Sequence, residues 1–120
     1  MNRKTVAAAF AVLLVCALPA PTAFAEPTDE DQVFFDQLQQ SGLHPDPSKQ
    51  VCGSAKCESL GTILVEEAHV VCSSLGVAPK VVPVSVIAHL QVSPGDARAV
   101  IEAARGAYCP QAQDPYTMLP

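Results

Sequence analysis

Apolar residues recur on the spacing of one helical face between Glu58 and Leu75, where Leu60, Ile63, Leu64, Ala68, Val71, Cys72 and Leu75 stand three or four positions apart or side by side. This predicts a central helix that Gly76 closes. Gly61 disfavours the helical state by about 1 kcal/mol relative to alanine, so the regular part can begin later than Glu58. Upstream, Phe34 and Leu38 are four apart with Phe35 beside them, which predicts a first helix to about Gln40. Thr28 can cap it, Asp29, Glu30 and Asp31 suit the positive end of its dipole, and Gly42 followed by Leu43 reads as a glycine C-cap with its hydrophobic contact. Between these helices, "HPDPSKQVCGSAKC" carries two prolines, two serines and a glycine and reads as a loop.

Valines alone would make "VAPKVVPVSVIAHL" a strand, but Pro79 and Pro83 remove ladder donors and suit the first turn of a helix. A short helix from Pro83 to about Leu90 is predicted. Ser93, with Pro94 at the first helical position and Asp96 at the third, then starts a last helix through a capping box in which Asp replaces the usual Glu. Its inner face is Ala97, Val100, Ile101, Ala104 and Tyr108. The remainder, "PQAQDPYTMLP", has three prolines and no periodicity, and residues 111–120 are expected to be a disordered or loosely attached tail. The expected fold is all-α, a compact bundle of about four short helices.

The first residues read differently. Arg3 and Lys4 precede an uncharged apolar run from Val6 to Leu18, and Ala23 and Ala25 form an A-x-A cleavage site before Glu26. That is the pattern of a secretory signal peptide over residues 1–25. The run has 13 residues, short of the roughly 20 that span a bilayer, so no transmembrane anchor is expected in the mature form. Lipidation at Cys16 is the weaker alternative, because Val15 stands where a small residue belongs. Cleavage leaves 95 of the 120 residues, enough for one small domain over residues 26–110.

That mature stretch has five basic and twelve acidic side chains, a net charge of −7, with no block of Lys or Arg. Such a surface repels phosphate backbones and anionic headgroups, which excludes nucleic acid as an expected partner. It also keeps four cysteines, Cys52, Cys57, Cys72 and Cys109, and an even number in a small exported chain implies two disulfides. Cys72 lies on the central helix and Cys109 just after the last, so a bridge between them would fasten the two longest elements. In the chain-entropy model that closure stabilises by about 4 kcal/mol and closure of "CGSAKC" by about 2, and the partition Cys52–Cys57 plus Cys72–Cys109 is favoured. The short bridge needs the turn that Gly53 and Ser54 allow.

Three other chemistries compete with this staple. Zinc on Cys52, Cys57, His69 and Cys72 has suitable ligand types, but the spacing matches no familiar knuckle and would strand Cys109. A thioredoxin-like role lacks its C-x-x-C. Glu66 and His69 form an E-x-x-H pair of the kind that builds a di-iron site when two helices supply it, yet it occurs once, and Glu66 and Glu67 read more simply as a solvated face beside a His69 that flanks the core. His89 is assigned to the end of its helix or to solvent, and His44 stands in a loop before a proline. No H-E-x-x-H, G-x-S-x-G or phosphate-cradling glycine loop occurs, and neither cofactor nor metal is expected.

Three segments in order, "FFDQLQQSGL", "EEAHVVCSSLG" and "VSPGDARAVIEAARGAYCP", resemble the small exported proteins of mycobacteria and related actinobacteria grouped as domain of unknown function 732. The resemblance covers roughly Asp31 to Pro110. It implies that Cys72 and Cys109 are the family's cysteine pair, that Phe35, Leu38, Leu75 and Tyr108 are core, and that Cys52 and Cys57 are an addition to the basic pattern. It implies no activity. The expectation is a non-enzymatic cell-envelope or extracellular interaction protein whose partner is an unidentified protein or envelope component, with an apolar groove lined by Phe34, Val84 and Ile87 as one variant. The rivals are a metal-binding protein or metal-dependent enzyme using Glu66 and His69, and a secreted inhibitor or signalling factor acting through loop His44–Lys56.

Overall fold

A computed structural model of the chain describes residues 27–117. The leader expected over residues 1–25, with its cleavage residues Ala23, Ala25 and Glu26, lies outside them, as do residues 118–120. Among the described residues no helix is long and apolar enough to cross a membrane.

The first helix, α1 (Asp29–Gln40), starts with a closed capping box: the Asp31 N–H donates to the Thr28 hydroxyl and the Thr28 N–H donates to the Asp31 carboxylate, both at 3.1 Å. It ends in a Schellman motif, in which the Leu43 N–H reaches the Leu38 carbonyl at 2.9 Å and the Gly42 N–H that of Gln39 at 2.9 Å. Gly42 sits at φ +94°, a region that side-chain-bearing residues adopt only with strain.

The stretch read as an irregular loop holds a small hairpin, β1 (Gln50–Cys52) and β2 (Cys57–Ser59), so the fold is mostly helical rather than purely α. Cys52 faces Cys57 in register, and the Gly53 N–H closes the intervening turn on the Lys56 carbonyl at 2.8 Å. The pairing continues past the strands, where Leu60 and Gly61 donate to the Lys49 and Pro47 carbonyls. Because Glu58 and Ser59 belong to β2, α2 (Leu60–Leu75) begins two residues later than the apolar spacing suggests, with the Ser59 hydroxyl accepting the Thr62 N–H.

Beyond a 3-10 turn at Pro79–Val81, α3 (Val82–Leu90) buries Val82 and Val86 and ends on Gln91 in the left-handed conformation, φ 56°. Proline therefore outweighs the β-propensity of the valines here, as expected. Ser93 then caps α4 (Pro94–Tyr108) by accepting the Asp96 N–H at 3.1 Å.

α4 is the hub: it packs against α1, α2 and α3, whereas α2 and α3 also touch each other. Its expected inner residues Ala97, Val100, Ile101 and Ala104 are buried, and so are Ala99 and Ala103 on a second face. Gly106, three residues beyond Ala103, brings α1 so close that the Gln37 side-chain amide lies where a Cβ would stand. The rest of the core is Phe34 and Leu38 of α1 and Leu64, Ala68, Val71 and Leu75 of α2. Phe35 and Tyr108, expected as core, are partly buried and pack on its edge.

The expected loose tail is held down as far as Thr117. Arg105 donates through Nε and an Nη to the Ala112 carbonyl at 3.2 and 2.9 Å, Pro115 is fully buried, and the Arg98 guanidinium lies 4.7 Å over the Tyr116 ring. Prolines preclude regular structure here without precluding packing.

Candidate functional site

The four cysteines among the described residues form two disulfides. Cys52–Cys57 clasps the exposed hairpin, and Cys72–Cys109 joins the last turns of α2 to the end of α4 with Cα atoms 5.9 Å apart. The thiolates that a zinc site on Cys52, Cys57, His69 and Cys72 would require are thus consumed in pairs on separate parts of the molecule. Glu66 and His69 are both exposed on α2, and among the described residues no group of three or more His, Cys, Asp or Glu side chains is placed to hold a metal ion. The E-x-x-H spacing therefore gains no third ligand from the fold.

Two polar constellations do form, and neither is evident from local spacing. Glu67, expected with Glu66 on a solvated face, has a side chain only 10% exposed, and both its carboxylate oxygens lie 3.1–3.2 Å from Nδ1 of His89. His89, assigned from its position to the helix end or solvent, therefore ties α3 to α2. A buried carboxylate needs such a partner, because desolvation without one is costly. On another side of α2 the Tyr108 hydroxyl donates to the Asp31 carboxylate, and the His69 ring lies 4.3 Å from that of Tyr108.

Burial by itself would raise the Asp31 carboxyl, but hydrogen bonds from the Tyr108 hydroxyl and from Thr28, with the charge of nearby His69, hold it below its ordinary value. Burial first, and then the bond to Asp31, push the Tyr108 hydroxyl upward. A depressed folded-state carboxyl contributes stability above its unfolded value, about 3.9, and loses it as pH falls through the folded value. The stability gap between the native protein and Tyr108→Phe is therefore expected to be present at neutral pH and to narrow below about pH 4 as Asp31 becomes protonated. Urea titrations at several pH values measure it, and a gap that stays constant down to about pH 2 would show that the Tyr108–Asp31 bond does not set the carboxyl.

The apolar groove expected around Phe34, Val84 and Ile87 does not form, since Phe34 is fully buried in the core and Val84 is 68% exposed. An open pocket of about 370 Å³ lies elsewhere, where the end of α1 meets the start of α2 and the α3–α4 connection. Leu38 and Leu43, brought together by the Schellman motif, form one wall, and Leu60 and Leu64 from the first turns of α2 form another. Leu90, Val92 and Val100 complete the apolar surface. His44, Pro45 and Asp96 supply the remainder, so the polar groups are one imidazole and one carboxylate. The volume lies within the range of about 300–1,000 Å³ usual for small-molecule sites, whose walls are likewise mostly apolar.

With this geometry in place, the comparison with known families is decisive: the family described as "Protein of unknown function (DUF732)" matches residues 29–111. The chain belongs to that family. The match ends just after the Cys72–Cys109 bridge and takes in all four helices, both bridges and every residue of the pocket. No curated protein and no solved structure matches this DUF732 chain. Sequence reasoning missed the DUF732 pocket because its walls come from separate stretches of chain. The signals that do point toward it are Leu43 after Gly42 and Asp96 after Ser93, each of which has a capping role that accounts for it locally.

Proposed function

We propose that this DUF732 protein is a non-enzymatic binding protein that acts outside the reducing cytosol, in the cell envelope or the extracellular space, and that it holds a small apolar ligand in the pocket between α1, α2 and α4. The observation that carries this reading is the pocket itself. Seven aliphatic side chains face an opening of about 370 Å³ that the surrounding helices leave unfilled, whereas interiors are otherwise close-packed. Water against these walls finds few polar partners on the protein side, so an apolar ligand gains by displacing it. The two disulfides support the location, because bridges persist in oxidising compartments. They also support a rigid scaffold whose pocket is preformed.

N-phenyl-1-naphthylamine, a neutral dye that brightens on leaving water, tests the reading. Saturable binding near one dye per protein is expected. Val92→Phe, which places a larger side chain in the pocket wall, should weaken it about tenfold or more while the helical circular dichroism and melting temperature are kept. Absence of saturable binding, or binding indifferent to Val92→Phe in the folded variant, would refute it.

A further inference from the structure

We propose that the pocket selects a cationic amphiphile, an apolar chain or ring system carrying an ammonium group, and that Asp96 is the residue that recognises the charge. This rests on the pocket being a ligand site, as proposed above. The chain holds two equivalent starts of helix, T-x-x-D at Thr28–Asp31 and S-x-x-D at Ser93–Asp96. In the first, the carboxylate folds back onto the cap N–H and also accepts the Tyr108 hydroxyl. In the second, only the serine half of the box is made: the Ser93 hydroxyl accepts the Asp96 N–H, while the Asp96 carboxylate has no hydrogen-bond or ion-pair partner among the described residues and lines the pocket. The capping box expected at Ser93 is thus half formed, and the residue whose carboxylate it leaves free is one of those lining the pocket.

No ion pair with a basic side chain neutralises it among the described residues. None of the five Lys and Arg among the described residues lines the pocket. Arg98 is engaged with Glu102 at 3.0 Å, Arg105 with Asp114 at 3.8 Å, and Lys56 with Glu58 at 3.5 Å. Asp96 also occupies the first turn of α4, so the positive end of that helix already has its anion and does not invite a second. A carboxylate or phosphate head would meet a like charge, and an uncharged hydroxyl head would gain a hydrogen bond to Asp96 without the attraction between opposite charges. An ammonium gains the Coulomb attraction and a charge-assisted hydrogen bond, with its apolar part against the leucines. His44 is the pocket's other polar group.

Octylammonium, octanol and octanoate share one chain and differ in head charge, and their displacement of N-phenyl-1-naphthylamine at pH 8 separates the two proposals. That pH lies well above the ordinary range of an imidazole and below that of an alkylamine. Octylammonium is expected to displace the dye at concentrations about tenfold below those of octanol, with octanoate weaker than both. Asp96→Asn, which keeps shape and polarity, should erase the advantage of octylammonium over octanol within that variant, while the helical circular dichroism is kept and the melting temperature falls only by the small amount that losing a first-turn carboxylate costs. Equal displacement by all three, preference for octanoate, or a preference for octylammonium that survives Asp96→Asn would overturn the role of Asp96 and leave the apolar pocket standing. Failure of dye and octanol alike to bind would overturn the pocket reading and this inference with it.

Discussion

Phe34→Ala is expected to lower the unfolding free energy by about 3–5 kcal/mol, the usual cost of truncating a fully buried phenylalanine. Phe34 has no exposed surface, and its ring centre lies 5.1 Å from that of Phe35 and 5.8 Å from that of Tyr108. The substitution removes the apolar area that fastens α1 to the bundle and also these aromatic pairs, each worth about 0.5–1.5 kcal/mol beyond burial. Domains of this size are stable by only about 5–15 kcal/mol in total, so the variant should lie close to its limit. A urea titration with the bridges intact would show the midpoint falling by about a molar or more with little change in slope. A loss below about 1 kcal/mol would mean that α1 contributes little to the cooperative unit.

Removing the long bridge should have an effect of similar size through the other side of the equilibrium. Cys72 and Cys109 are separated by 37 positions, and in the chain-entropy model opening that loop in the unfolded ensemble costs about 4 kcal/mol. Cys52 and Cys57 are separated by 5, for which the same model gives about 2 kcal/mol. The paired variants Cys72→Ser with Cys109→Ser, and Cys52→Ser with Cys57→Ser, should rank in that order by thermal or urea unfolding. The ordering has a native-state reason as well. Cys72 and Cys109 are partly buried at the edge of the core, where a hydroxyl is a poor replacement, whereas Cys52 and Cys57 are exposed on the hairpin. Equal losses for the two pairs would show that loop length is not what governs them.

Much of the helical framework is legible along the chain because it rests on local rules. Thr28, Ser93, Gly42 and Gly76 mark helix ends through short-range backbone chemistry, and the prolines at 79 and 83 decide the state of a valine-rich stretch. What escapes the sequence is non-local or too short. Strands of three residues give too little alternation to read, and the hairpin forms because the Gly53 turn and the Cys52–Cys57 bridge align it. Glu67 is indistinguishable from Glu66 until α3 delivers His89 to it. Pro115 is buried because Arg105, ten residues earlier, anchors the returning chain. The candidate site is least legible of all, since Leu43, Leu64, Leu90 and Asp96 share no spacing and meet only when the bundle is assembled.

The position of α4 at the hub also bears on how the protein comes into being. A polypeptide emerges N-terminus first, so α1, α2 and α3 are all extruded before the helix on which each of them packs. Until then their apolar faces lack the partner that covers most of them, and Cys72 awaits a thiol that arrives 37 residues later. The packing of α1, α2 and α3 is therefore completed only once α4 has joined them, and the long bridge can close no earlier than that.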